Sequence, residues 1–318
     1  MSRYARQAIL GEIGPAGQAK LGAASVLVVG AGGLGGPVLQ YLAGAGVGCL
    51  TIVDHDTVEE TNLHRQPLYR MSDIGRPKVE AAREALRGFN PEVRIEAVMT
   101  RLTPQNAADL VAAADIVVDA ADSFAVTYML SDACFAAGRA LVSASVVGLT
   151  GYAGAFCGGG PSYRAVFPEV SVDGGTCESV GVLGTAAAVL GGLQAHIALH
   201  LLLGLEPLPL GRVVTFDARR LAFGGFGFDG NPEPDDAVPF IAADAVRPDD
   251  IVVDLRGLDE APISPFAGAR RLVVDTIDEL EKTDGRVVLA CRSGQRSLMA
   301  ADRLRARGMT NLALVALG

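Results

Sequence analysis

The chain has 318 residues, half of them hydrophobic and a fifth charged, which suits about two domains of roughly 150 residues and speaks against a disordered chain. With 27 Lys+Arg against 36 Asp+Glu, its formal charge of −9 argues against a general nucleic-acid or anionic-membrane binder, which needs a basic face to neutralise phosphates. Five cysteines, an odd number with no CxxC pair, argue against a disulfide-stapled scaffold and against a zinc site of four thiolates.

The N-terminus, MSRYARQAIL, lacks the long apolar stretch of a signal peptide, so a cytoplasmic protein is expected. From Ser25 short apolar runs alternate with Ala/Leu-rich stretches. SVLVVG (Ser25–Gly30), CLTIVD (Cys49–Asp54), VRIEAV (Val93–Val98), DIVVDA (Asp115–Ala120) and ALVSAS (Ala140–Ser145) suit strands buried on both faces of a parallel sheet. Helices are expected between them: PVLQYLAGAG, PKVEAAREALRGF, and TPQNAADLVAAA with Thr103 as N-cap and Pro104 at its first position. This βαβα order predicts a doubly wound α/β domain. The Gly- and Pro-rich stretch Cys157–Ser179 breaks the pattern and is long for a loop, which marks it as functional or mobile. The hydrophobic run Val180–Leu205 contains Gln194, His196, His200 and several glycines, without basic or aromatic flanks. It reads as a buried helix rather than a membrane span. A strand, RVVTFDA (Arg212–Ala218), precedes the acidic, proline-rich linker signal DGNPEPDDAVP (Asp229–Pro239). Beyond it the alternation restarts on a smaller scale. DIVVDL (Asp250–Leu255), RLVVD (Arg271–Asp275), RVVLAC (Arg286–Cys291) and LALVA (Leu312–Ala316) read as strands, and SLMAADRLRARG (Ser297–Gly308) as a helix.

The first strand runs into Gly30-Ala31-Gly32-Gly33-Leu34-Gly35, a G-x-G-x-x-G match that opens a helix. Such glycines let backbone N–H groups approach a phosphate, and Asp54 at the end of the next strand is placed to accept from a ribose. The loop indicates a nucleotide and leaves a nicotinamide cofactor open. Asn62, Arg65, Gln66 and Lys78 then form a polar, cationic set within one βα connection, and two extra cations suit a triphosphate better than a pyrophosphate. Asp119, Asp122 and Ser123 end a further strand, where a carboxylate beside a phosphate site is a natural Mg²⁺ ligand; a helix N-cap at Ser123 or Asp122 is the lesser alternative.

Six blocks in order, RYARQ, GAGGLGGPV, IVDHDTVEETNLHRQ, IGRPKVEAA, VVDAADS and TCESVGVLG, resemble the MoeB/ThiF family of adenylating enzymes, bacterial relatives of the ubiquitin-activating enzymes, over about Arg3 to Phe228. The resemblance implies a Rossmann-like sheet with an adenylation-domain extension, and ATP-dependent activation of the C-terminal Gly-Gly carboxylate of a small β-grasp sulfur carrier of the ThiS or MoaD kind. It places Gly33 and Asp54 on the nucleotide, Asn62, Arg65 and Lys78 on the phosphates, and Asp122 on Mg²⁺. It gives Arg6 the role of an arginine reaching across a homodimer to the partner's ATP. It also implies a position for Cys177 that in some members carries a thioester or persulfide. Family members commonly hold a structural zinc on two CxxC pairs. Here those regions read Ser162-Tyr163-Arg164-Ala165 and Asn231–Asp236, so no zinc is predicted. The pair His196/His200 lacks a third ligand and reads as packing histidines.

Cys49, Cys134 and Cys157 lie among apolar or small residues and read as buried hydrophobes. Cys291 differs. It ends a strand, and CRSGQRS (Cys291–Ser297) leads straight into a helix, so several backbone N–H groups and the charges of Arg292 and Arg296 can stabilise a sulfur anion. The segment resembles a rhodanese active loop, and residues from about Val238 onward resemble a rhodanese domain shortened between Asp254 and Arg270. The expected organisation is therefore an adenylation domain over residues 1–228, a linker over 229–239 and a small α/β rhodanese-like domain over 240–318. The expected activity is carrier adenylation followed by sulfur transfer from Cys291 to give a thiocarboxylate, in thiamine or molybdopterin synthesis. Sulfur would come from a cysteine desulfurase or thiosulfate. Activation of a ubiquitin-like carrier for another pathway, a non-catalytic carrier scaffold, and an NAD-dependent oxidoreductase are the alternatives.

Overall fold

In the computed structural model, which describes residues 3–168 and 180–318, the apolar runs become the strands of two sheets. In the first, β1 (Ser25–Val29), β2 (Cys49–Asp54), β3 (Arg94–Met99), β4 (Ile116–Asp119) and β5 (Ala140–Val147) are parallel. β6 (Thr150–Cys157), β7 (Arg212–Asp217) and β8 (Ala222–Gly227) extend it antiparallel. The order β3-β2-β1-β4-β5-β6-β7-β8 reverses direction between β1 and β4, the switch point at whose carboxyl edge open α/β sheets form their ligand crevice. Residues of β1 and β4 are buried almost throughout, the physical reason both strands are β-branched on successive positions.

The helices that cover this sheet are α1 (Ala5–Ala8), α2 (Gly14–Ala23), α3 (Gly35–Ala45), α4 (Lys78–Phe89), α5 (Pro104–Ala112), α6 (Phe124–Ala137), α7 (Tyr163–Val166) and α8 (Gly184–Leu203). Thr103 and Pro104 open α5 as the sequence predicts. α8 is long and apolar enough to cross a membrane, yet it packs on α3, β5 and β6, and half of its most apolar window is buried there. It is a core helix of this fold.

The second sheet is parallel throughout, in the order β10-β9-β11-β12, from β9 (Ile251–Asp254), β10 (Arg270–Arg271), β11 (Val287–Cys291) and β12 (Leu312–Ala316). α9 (Gln295–Ala306) returns the chain from β11 to β12. Of the predicted strand over Arg271–Asp275 only Arg271 falls within the edge strand β10, and a 3₁₀ helix, Val274–Glu279, follows. As an edge strand it gains ladder bonds on one side only, whereas the helical turn buries Ile277 and Leu280 in the core.

One apolar cluster fills the space between the large sheet and α3, α4 and α8. A second lies on its opposite face, passes over α5 and α6, and continues through Phe240 into β9, β11 and α9. Segment 229–239 is tied down along its length: the Glu233 carboxylate accepts from Ser162 N and Oγ (2.7 and 2.5 Å), Asn231 donates to Ala165 O, and Arg164 donates to Val238 O.

Candidate active site

The G-x-G-x-x-G loop leaves β1 at the switch point and enters α3 at Gly35. Gly30 has φ 96°, and a Cβ there would stand 2.6 Å from Ala120 O on β4's exit; at Gly35 a Cβ would collide with Gly30 O. The backbone crossing is therefore possible only with glycine at these two positions. Ala31 is fixed from both sides. Its N–H donates to Asp54 Oδ2 (2.8 Å), and its carbonyl accepts from the buried Tyr69 hydroxyl (2.7 Å). Burial, with the Asp54 charge nearby, pushes the Tyr69 phenol well above its usual range, so Tyr69 stays a neutral donor. Sequence reasoning missed Tyr69, because a tyrosine in a Pro-Leu-Tyr run carries no spacing signal.

The polar set gathers on one wall beside this loop. Asn62 is buried and accepts from Glu59 N through Oδ1 (3.2 Å). Gln66 is buried against Gly32, and its Oε1 is buried without a hydrogen-bond partner among the described residues. Arg65 lies beside Gly33 and donates to Thr61 O (3.1 Å), with His64 Nε2 at 2.8 Å. Lys78 opens α4, is only 6% exposed, and donates from Nζ to Asp56 Oδ2 (2.9 Å). Partial burial raises the Asp56 carboxyl, but the bond and charge of Lys78 outweigh it and hold the acid below its usual value.

Asp119 and Asp122 part company. Asp119 is fully buried: Thr127 and Ser143 hydroxyls donate to its Oδ2 (2.7 and 2.8 Å) and Ala121 N to its Oδ1 (3.2 Å). Burial pushes it up to about 6, against those three donors, which lower it, and with the Asp122 charge adding to the rise. Asp122 is exposed at the carboxyl edge, followed by Ser123 at the start of α6. Of the two carboxylates, only Asp122 is open to a ligand. One exposed carboxylate suits a hard cation that keeps most of its positions for phosphate oxygens and water, as Mg²⁺ does.

Arg6 is not brought to this site within the chain. It is exposed on α1, whose neighbours Gln7 and Tyr4 pack on Ala45 and Gly46 at the C-terminal end of α3, the end opposite the glycine loop. Cys177 lies outside the described residues. Cys134 and Cys157 are buried, and that burial raises both thiols, Cys157 to about 12; Cys49 is buried as well. His196 and His200 sit edge-to-face on α8 with centroids 6.0 Å apart, as packing residues do.

The surroundings of Cys291 are defined by amides: Gly294 N donates to its Sγ at 3.2 Å and Ser297 N at 3.4 Å, with Ser297 Oγ also 3.4 Å away.

The thiol itself is 0% exposed. Arg296 is held bidentately by Glu260 (2.7 and 2.6 Å) and donates to Leu255 O, and its hydrogen bonds hold the Glu260 acid below the usual range. Arg292 is exposed. The loop thus converges N–H groups on sulfur as expected, while one of its two cations is already neutralised by a carboxylate the sequence did not single out.

The ThiF family matches residues 4–235. The chain belongs to the ThiF family. This family member is 42% identical over 240 residues to the sulfur carrier protein adenylyltransferase of Thermus thermophilus, covering 73% of this chain and 89% of that one. It is 32% identical over 351 aligned positions to the Mycobacterium tuberculosis protein named "Probable adenylyltransferase/sulfurtransferase MoeZ", covering 98% and 90% of the two chains. A crystal structure of E. coli MccB with ATP shares the fold at TM-score 0.62 and 23% identity, over 73% of this chain and 72% of that one.

Proposed function

We propose that this ThiF-family protein adenylates the C-terminal glycine of a small β-grasp sulfur carrier and then supplies sulfur from Cys291 to form a thiocarboxylate. One observation carries the adenylation reading: the glycine loop after β1, the buried Lys78 ammonium paired with Asp56 just after β2, and the exposed Asp122 carboxylate after β4 all belong to the carboxyl ends of neighbouring parallel strands. That set matches a metal-bound triphosphate better than a nicotinamide dinucleotide. The names of the Thermus and Mycobacterium relatives support the same reading.

In this mechanism an oxygen of the carrier's ionised C-terminal carboxylate attacks the α-phosphorus of ATP. The bond to the bridging α–β oxygen breaks, and pyrophosphate leaves. No general base is needed, so the protein's work is positioning and charge neutralisation. Lys78 exchanges Asp56 for phosphate oxygens, Arg65 and Asn62 hold the outer phosphates, and Gln66 turns its unpartnered amide oxygen to a ligand donor. Asp54 accepts from the ribose while keeping the glycine loop in place through Ala31. Asp122 would hold Mg²⁺, which when bound supplies positive charge to the phosphates.

The second half of the reading treats residues 240–318 as a shortened rhodanese-like domain, joined through 229–239 to the adenylation domain over 1–228. The terminal sulfur of a Cys291 persulfide, loaded from a cysteine desulfurase or thiosulfate, attacks the acyl carbon and AMP leaves. A second thiol then attacks the resulting acyl disulfide, releasing the carrier thiocarboxylate and leaving a protein disulfide that a cellular thiol reopens. Cys177 is our candidate for that thiol. Arg6, remote from its own site, supports a homodimer in which it reaches the partner's nucleotide, and the exposed Ile9, Leu10, Tyr41 and Val189 offer apolar surface for it. The Ser162–Glu233 hydrogen bonds support a fold clasped there without zinc. Carrier-dependent ATP–pyrophosphate exchange tests the proposal, and its absence with ThiS-like and MoaD-like carriers alike would overturn it.

A further inference from the structure

The first-turn N–H groups of a helix have no partner within the helix. At α6, the helix that follows Asp122, the Ser123 side chain makes no cap bond to that turn. The acceptor comes instead from the second sheet. Ser293 O, in the Cys291 loop, accepts from Ala125 N (3.0 Å) and from Ser123 Oγ (3.3 Å). The N–H of that same peptide group belongs to Gly294, and it donates to Cys291 Sγ (3.2 Å). One peptide therefore grips the sulfur with its N–H and the start of α6 with its carbonyl. The approach is close: Gly294 has φ 91°, and a Cβ on it would come within 2.9 Å of Ala125 N and of the Phe240 ring. From inside, Asp119 Oδ1 holds the same turn through Ala121 N.

We propose that the Ser293–Gly294 peptide is a positioning element of the adenylation site, setting the turn that presents Asp122, and that the same contact closes Cys291 to solvent. This inference rests on the proposed role of Asp122 toward the metal nucleotide. Loop docking and an ordered Asp122 turn are then one state, so each site biases the other reciprocally. Anything that separates the loop from α6 exposes the thiol and weakens the grip on Mg·ATP together. Conversely, Mg·ATP holds the loop down and protects Cys291.

The test uses the full chain with Ala125→Leu, which crowds Gly294 without altering the residues around sulfur, and the milder Ser123→Ala with Ser123→Thr as its conservative rescue. Cys291 alkylation by iodoacetamide is read by peptide mass spectrometry. The Mg·ATP dependence of pyrophosphate exchange is measured in parallel. Alkylation is expected to quicken and KM for Mg·ATP to rise, each by about tenfold in Ala125→Leu and less in Ser123→Ala, with kcat changed less than KM. Ser123→Thr should restore both, and Mg·ATP should slow alkylation of the unsubstituted protein. Equal alkylation rates in the unsubstituted protein and Ser123→Ala, or an unmoved KM, would overturn the proposal. If Ala125→Leu does not fold, the Ser123 pair decides. If the unsubstituted protein shows no exchange with any carrier, the adenylation reading fails, while the alkylation comparison still decides whether docking closes the thiol.

Discussion

The turn after β1 and the turn after β11 are the same device put to opposite uses. Each leaves the carboxyl end of a parallel strand and opens a helix, so each directs backbone N–H groups at one point. After β1 the glycines remove side chains from that point and the neighbouring wall supplies polar groups. After β11 the chain supplies its own occupant: Cys291 Sγ takes the N–H groups of Gly294 and Ser297, and the site is closed. Strand–turn–helix geometry sets where polarity converges. The residue ending the strand decides whether a ligand or a sulfur sits there.

The sharpest way to break that contrast is Cys291→Ala. It should abolish thiosulfate sulfurtransferase activity while leaving carrier-dependent pyrophosphate exchange intact. Retained sulfurtransferase activity would show that another thiol is the nucleophile. Lys78→Ala should do the reverse, lowering exchange by about 10²–10³-fold, the usual cost of removing one charge-stabilising donor, with sulfurtransferase activity unchanged. Exchange within a few-fold of the parent would remove Lys78 from the site.

Asp119 sharpens the contrast through pH. Its native value, about 6, lies above the ordinary 3.8, so the folded state binds the proton more tightly than the unfolded one. Its contribution is therefore fully present below about pH 4 and is lost as pH rises through about 6, a change on the order of 2–3 kcal/mol. Urea melts across pH 4–7 should show this fall relative to Asp119→Asn, and parallel curves would refute it. The smallest effect belongs to Glu233→Gln, which weakens the charge-assisted bonds to Ser162. Denaturation should report about 1 kcal/mol of lost stability, with both activities retained.

Much of this was legible beforehand. Continuous apolar runs identified the parallel strands of the large sheet, and the helix over Lys78–Phe89 follows its 3.6-residue pattern. α6, β6 and β8 were not read. α6 mixes apolar residues around its whole circumference, and β6 and β8 are rich in Gly and Ala, so neither period stands out. The short edge strand β10 was overcalled, because an apolar run does not reveal how many neighbours it will pair with.

The sequence by itself determined the nucleotide loop, its cationic companions and the cysteine loop, since each is a contiguous motif whose chemistry follows from residue type and spacing. Only the tertiary structure separated buried Asp119 from exposed Asp122, paired Lys78 with Asp56 and Arg296 with Glu260, and set Ser293 on the start of α6. Those partners are distant along the chain, or differ only in the side to which they point. Burial and hydrogen bonding, which arise when the sheets pack, decide them.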